Sequence, residues 1–186
     1  MTGVETLFGV SLGAGLAAAC GFRIFVPFLV MGLAARSGQV QLASQFSWIT
    51  SDAALIAFGV ATVLEIAAYY VPFVDNLLDT LATPAAVVAG TCVSAACIVD
   101  ASPLVQWGAA AIVGGGAAGT VQIASVKARL ASSALTAGTA NPLVSTAENG
   151  GALALSAAAV LVPVLALALA GTVVAFLLIR ARRASP

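Results

Sequence analysis

The sequence predicts an all-α fold, a polytopic transmembrane helical bundle in one domain over residues 1–186. Three observations carry this. The chain is 61% hydrophobic and only 8% charged, with mean hydropathy +1.11, where soluble domains carry about 25% charged residues. Several apolar runs approach or exceed the ~17–25 residues that cross a hydrocarbon core. Glycine, proline and capping residues divide these runs into about five spans, with shorter broken or re-entrant pieces between them.

Thr2 and Glu5 read as a Thr-x-x-Glu capping box. A glycine-rich first span follows, about 4–20, broken at Gly21. The apolar piece 24–35 is too short to cross comfortably and ends at Arg36, Ser37 and Gly38. Trp48, in the more polar stretch 37–51, is placed like an interfacial anchor. The next span, 52–71, is capped by Ser51 or Asp52 and stops near Pro72, with Tyr69 and Tyr70 at its end like an aromatic belt. VDNLLDTL, 74–81, reads as a short amphipathic piece, and Thr83-Pro84 as a fresh helix start opening a span over 84–99. Ser102-Pro103 repeats that signal for a span over about 103–124. The less apolar segment 125–151 carries a second capping box, Ser145 and Glu148. The last span, 151–179, exceeds a ~30 Å core and should tilt, protrude or kink at Pro163.

Counting Lys and Arg with 24–35 not crossing puts Arg23, Arg36, Arg180, Arg182 and Arg183 on one side and Lys127 and Arg129 on the other. The positive-inside rule then predicts a cytoplasmic C-terminus. Seven basic and seven acidic residues leave no basic surface for nucleic acid. The absence of histidine removes imidazole acid–base chemistry and His-containing zinc sites. Cys20, Cys92 and Cys97 match no metal or redox spacing and read as small apolar fillers. LAAAC, 16–20, looks like a lipoprotein cleavage site, but the positive segment that should precede it is missing, with Glu5 the early charge. No cofactor is expected.

A repeat is suggested by GVSLGAGLAAACGFR, 9–23, beside GGAAGTVQIASVKAR, 115–129: a shift of 106 matches Gly9 to Gly115, Gly13 to Gly119 and Arg23 to Arg129. Each glycine pair is a G-x-x-x-G, which lets helices approach closely and would also suit a homodimer seam. With halves 1–100 and 101–186 separated by three crossings, the copies would be inverted, a transporter architecture with its site at midplane. Arg23 and the Lys127/Arg129 pair would then enter from opposite faces.

Arg23 has no carboxylate within fifteen residues, so it either snorkels to an interface or faces a polar interior. Glu65 lies seven residues before Pro72, ~10 Å inside its span, and is a site candidate or an ion-pair partner of Arg23 or Arg129. Asp75 and Asp79, at i, i+4, share a helix face and suit a hard cation or a solvated surface. NPLVSTAE combines Asn141, Ser145 and Glu148 in the manner of a re-entrant turn lining a cavity. Asp52 and Asp100 read as caps or loop charges.

AAACGFRIFVPFLVMGLAAR, then SW…LE…VPFVDNLLDT, then KAR…TAGTANPLVSTAEN, in that order over nearly the whole chain, resemble DUF4126, a bacterial membrane family of unknown function. The resemblance implies the bacterial inner membrane and family motifs at Arg23, Glu65, Asp75, Asp79, Lys127, Arg129, Asn141, Pro142 and Glu148. The family pattern carries an acidic residue where this chain has Tyr69 or Tyr70, so a mechanism needing that group does not transfer.

Function is therefore expected to be non-enzymatic. The first expectation is a small transporter or flippase-like permease for an anionic solute or phosphate-bearing headgroup. Arg23, Lys127, Arg129 and Asn141 would hold the substrate, and Glu65, Asp75, Asp79 and Glu148 would act as coupling or ion groups. The alternatives are a cation pathway through those carboxylates, a structural protein without substrate, or, less favoured, a Mg²⁺-dependent lipid enzyme using Asp75 and Asp79. Membrane lipids are the expected surroundings.

Overall fold

The computed structural model describes residues 3–71, 74–162, 171–173, 175–176 and 179–180. Among these the chain is all-helical. The helices are α1 (Gly3–Cys20), α2 (Phe25–Arg36), α3 (Asp52–Ala68), α4 (Val74–Cys97), α5 (Pro103–Ala109), α6 (Gly116–Thr136) and α7 (Asn141–Leu161). A 3-10 turn, Ser44–Thr50, precedes α3, and a π-helical segment, Ala110–Gly115, joins α5 to α6. Among the described residues two helices are long and apolar enough to cross a membrane, Leu78–Cys97 and Pro103–Thr136. A third is gained if the 3-10 turn and α3, bent by 67°, form one span.

Glycine sets the packing. A Cβ on Gly9 would meet the Cys97 carbonyl at 2.5 Å, and one on Gly13 the Ser94 hydroxyl at 2.9 Å. Further towards the start of α4, Gly115 lies against Thr91 and Gly119 against Val87. Both G-x-x-x-G pairs therefore pack inside the chain, on one central helix.

The same contacts fix direction. Along α1, positions 9 and 13 meet 97 and 94; along the π segment and α6, positions 115 and 119 meet 91 and 87. Both elements run antiparallel to α4 and so parallel to each other. The inverted relation expected between the two matched segments does not hold.

The reason is α2. The chain turns back at residues 21–24, and Met31 reaches Cys97 Sγ at 3.9 Å, beside the N-terminal half of α1. α3 runs against α2, with Gly32 facing Leu55 and Arg36 paired with Asp52. α7 runs against α1, with Gly151 on Phe22. Arg23 and Arg36 thus sit at opposite ends of α2, ~18 Å apart along its axis.

Other boundaries differ too. α4 runs through Pro84 instead of restarting there; a membrane helix tolerates the missing N–H where neighbours offset it. Ser145 lies in the second turn of α7, not at its start, so the Ser145/Glu148 capping box is absent and both side chains serve tertiary contacts. Ser51 does cap α3, accepting from the Ala54 N–H at 3.2 Å, and Pro103 opens α5. Thr2, Pro163, Arg182 and Arg183 lie outside the described residues.

Trp48 and Trp107 are exposed, in keeping with anchors. Tyr69 is not: it is buried at the centre of the polar site. Cys20 and Cys97 are free and buried.

Candidate functional site

The break between α1 and α2 delivers Arg23 to the interior. Gly21 has no room for a side chain, since a Cβ there would meet the Ala118 carbonyl at 2.5 Å and Val121 at 2.6 Å. This close approach to α6 drives the next two residues inward. Arg23 is 1% exposed. Its Nη1 donates to Glu148 Oε2 at 3.0 Å and to the Phe22 carbonyl at 2.7 Å. Its Nε donates to Asn149 Oδ1 at 2.7 Å and its Nη2 to the Ser145 carbonyl at 3.4 Å.

Arg129, on α6, is 2% exposed and closes on the same carboxylate. Its Nη2 pairs with Glu148 Oε2 and its Nε donates to Oε1 at 3.3 Å. The Ser125 hydroxyl, one turn earlier on α6, also donates to Oε1. Asp79 Oδ1 on α4 lies 3.7 Å from Arg129 Nε. Arg129 Nη1 is buried and has no hydrogen-bond partner among the described residues.

Tyr69 completes the cluster. The Arg23 guanidinium carbon lies 4.1 Å from the ring centroid and that of Arg129 4.2 Å. The ring quadrupole attracts both cations. Two like charges are thus tolerated side by side because a carboxylate and an aromatic face are shared between them. The Ser145 hydroxyl donates to the Tyr69 carbonyl at 3.2 Å, tying α7 to the end of α3. Tyr70 is exposed and bonds Thr146 at 2.8 Å.

Glu65 takes a different place. It accepts the Ile24 N–H on Oε1 at 2.7 Å and the Phe25 N–H on Oε2 at 3.1 Å. A carboxylate there satisfies two otherwise orphaned donors and complements the positive end of the α2 dipole. It makes no ion pair with Arg23 or Arg129. The structure thus brings together Arg23, Arg129, Glu148 and Asp79, with Glu65 next door on the α2 terminus. Lys127 is exposed and stands apart. Asn141 is buried at the start of α7 and donates to Ser133 at 3.0 Å. The Asp75 side chain lies outside the described positions.

The expected cavity is only partly present. A cavity of about 400 Å³ opens between α3 and α4, lined by Glu65 and Tyr69 together with apolar side chains including Phe25, Leu64 and Leu81. It reaches Glu65 but not the arginines. Among the described residues no three Cys, Asp or Glu side chains are grouped to hold a metal ion.

Tyr69, Ser125 and Asn149 were not legible as site residues. A faint signal existed for Tyr69, which lies at i+4 from Glu65 and so on one face of α3. Nothing local marked Ser125 or Asn149, whose roles depend on how α6 and α7 pair.

The described residues define a class: an all-helical protein with two, or up to three, helices long and apolar enough to span a bilayer, folded around a buried ion-pair cluster at a helix break. Residues 10–183 match the family described as Domain of unknown function (DUF4126), and the chain belongs to that family. No curated protein and no solved structure matches the chain.

Proposed function

We propose that this protein is a small proton-coupled membrane permease for an anionic solute or headgroup, with Arg23 and Arg129 as the anion site and Glu148 as the coupling carboxylate. The observation that carries the reading is that two buried guanidiniums, one from the break between α1 and α2 and one from α6, share one carboxylate. Glu148 occupies the position an oxyanion would take: it accepts from Arg23, Arg129 and Ser125 at once. Guanidinium forks bind carboxylate and phosphate alike.

Charge balance supplies the coupling. Arg23 and Arg129 are matched by Glu148 and Asp79. A monovalent anion added to that set leaves a buried excess charge, which is costly. Protonating Glu148 as the anion enters keeps the charge constant, so one proton travels with each negative charge. Arg129 Nη1, a buried donor without a described partner, offers the first contact. Discontinuous helices such as α1 and α2 are where transporters place such sites, with the alternating bundle around them in the bacterial inner membrane. The cation-pathway reading is less favoured, because it needs the carboxylates to converge with the arginines turned away.

The test is uptake into vesicles of purified protein, with inorganic phosphate, sulfate and succinate as probes under an imposed pH gradient. Acid-stimulated uptake of at least one probe is expected. It should be lost in Arg23→Met and Arg129→Met and become pH-independent in Glu148→Gln. Uptake insensitive to both arginine variants, or none by the folded wild type, contradicts the reading.

A further inference from the structure

The geometry points to a second site, separate from the arginine pair: a binding site for a lipophilic monocation, an amine or ammonium with an apolar tail, in the cavity between α3 and α4. Four observations converge. The cavity holds about 400 Å³, within the range of small-molecule sites, which join apolar walls to a few placed polar groups. Among the described residues its one charged wall residue is a carboxylate, Glu65. Glu65 has no cationic partner among the described residues, since Arg23 and Arg129 are paired with Glu148 and Asp79. Leu64 and Leu81, on the cavity wall, are exposed, so the opening lies on an apolar surface from which an amphiphile can enter sideways.

The chemistry of Glu65 fits a cation. Its two oxygens each accept one backbone N–H, from Ile24 and Phe25, whereas a carboxylate offers about four lone-pair sites. The remaining lone pairs can take an ammonium without releasing the α2 terminus. Phe25 and Tyr69 line the same space and supply aromatic surface, while Leu64, Leu78 and Leu81 take the tail. An anionic amphiphile meets a carboxylate at the inner wall and is disfavoured. A neutral chain gains burial but no charge interaction with Glu65. The site stands on Glu65 and the cavity, whether or not the arginine pair carries an anion.

The test uses three probes of equal length, octylammonium, octanol and octanoate, at neutral pH. Each is titrated calorimetrically into the protein in phosphatidylcholine nanodiscs, with empty nanodiscs subtracted. Saturable octylammonium binding is expected, at least tenfold tighter than octanol, with octanoate not saturating. Glu65→Gln should erase the tenfold preference. Ala61→Phe, which fills the cavity and leaves Glu65 in place, should abolish octylammonium binding. Octanol binding as tightly as octylammonium identifies a plain acyl-chain groove and overturns the proposal. So does octanoate binding tightest, a preference that survives Glu65→Gln, or no saturable binding of any probe.

Discussion

Arg23 and Arg129 stand 106 positions apart in the chain and end on the same carboxylate oxygen, Oε2 of Glu148. One comes from a helix break and the other from mid-helix, and both guanidiniums lie over the Tyr69 ring. The protein keeps two buried cations together at one point of an otherwise apolar bundle. Several consequences can be measured.

Removing the shared anion should be severe. Glu148→Ala leaves two buried cations short of a partner, and breaking a buried pair costs about 3–5 kcal/mol. Replacing the whole set by apolar residues, Arg23→Met with Arg129→Met and Glu148→Leu, should recover much of that loss, because well-packed apolar groups replace buried ion pairs at little cost. Denaturant unfolding in micelles compares the two.

The glycine seams should tolerate no side chain. Gly90→Ala places a methyl 2.5 Å from Ala118 Cβ and 2.8 Å from the Gly114 carbonyl, and overpacking of this kind costs about 1–3 kcal/mol. Gly59 and Gly116 face open space, so alanine there should be neutral or stabilise by about 0.5–1 kcal/mol. Melting temperatures of the three variants separate the seam from the outer face.

Ala137 closes α6 with φ +51°, followed by Gly138 at φ +83°. A left-handed conformation costs an ordinary residue about 1–2 kcal/mol. Ala137→Gly should therefore raise stability by about 1 kcal/mol, a rise in melting temperature with the helical spectrum unchanged.

Glu65→Ala should free the start of α2. Loss of a helix cap costs about 0.5–2 kcal/mol. The sharper signature is local: the Ile24 and Phe25 amides should exchange with solvent faster, while the Arg129 segment keeps its protection. Hydrogen exchange read by mass spectrometry resolves the two regions.

The elements were largely legible because helix signals are local. Ser51, Ser102-Pro103 and the glycine breaks each act within a turn or two, and α1, α2, α3 and α5 begin or end near where the sequence places them. Pro84 misled because its cost is offset by neighbouring helices that a local signal does not register. Direction was not legible at all. Whether 24–35 returns or stays at one end depends on Gly21 meeting Ala118 and Met31 meeting Cys97, both long-range contacts. Arg23 drew notice as a charge in apolar surroundings, which is expensive wherever it occurs, Arg129 through its match to Arg23 in the glycine-rich repeat, Asp79 through its i, i+4 spacing with Asp75, and Glu148 through the stretch NPLVSTAE. Their partners were hidden, since Arg23 pairs with a residue more than a hundred positions away. Tyr69 was assigned to an aromatic belt because nothing within its own helix places two guanidiniums over it.

The most direct test of the shared carboxylate is a double-mutant cycle between Arg23→Met and Glu148→Gln, with unfolding free energy measured for the wild type, each single variant and the pair. If Arg23 depends on Glu148, the two losses are not additive and the coupling energy reaches about 1–3 kcal/mol. Additivity within about 0.5 kcal/mol would mean that Arg23 draws its support elsewhere and that no common anion joins it to Arg129.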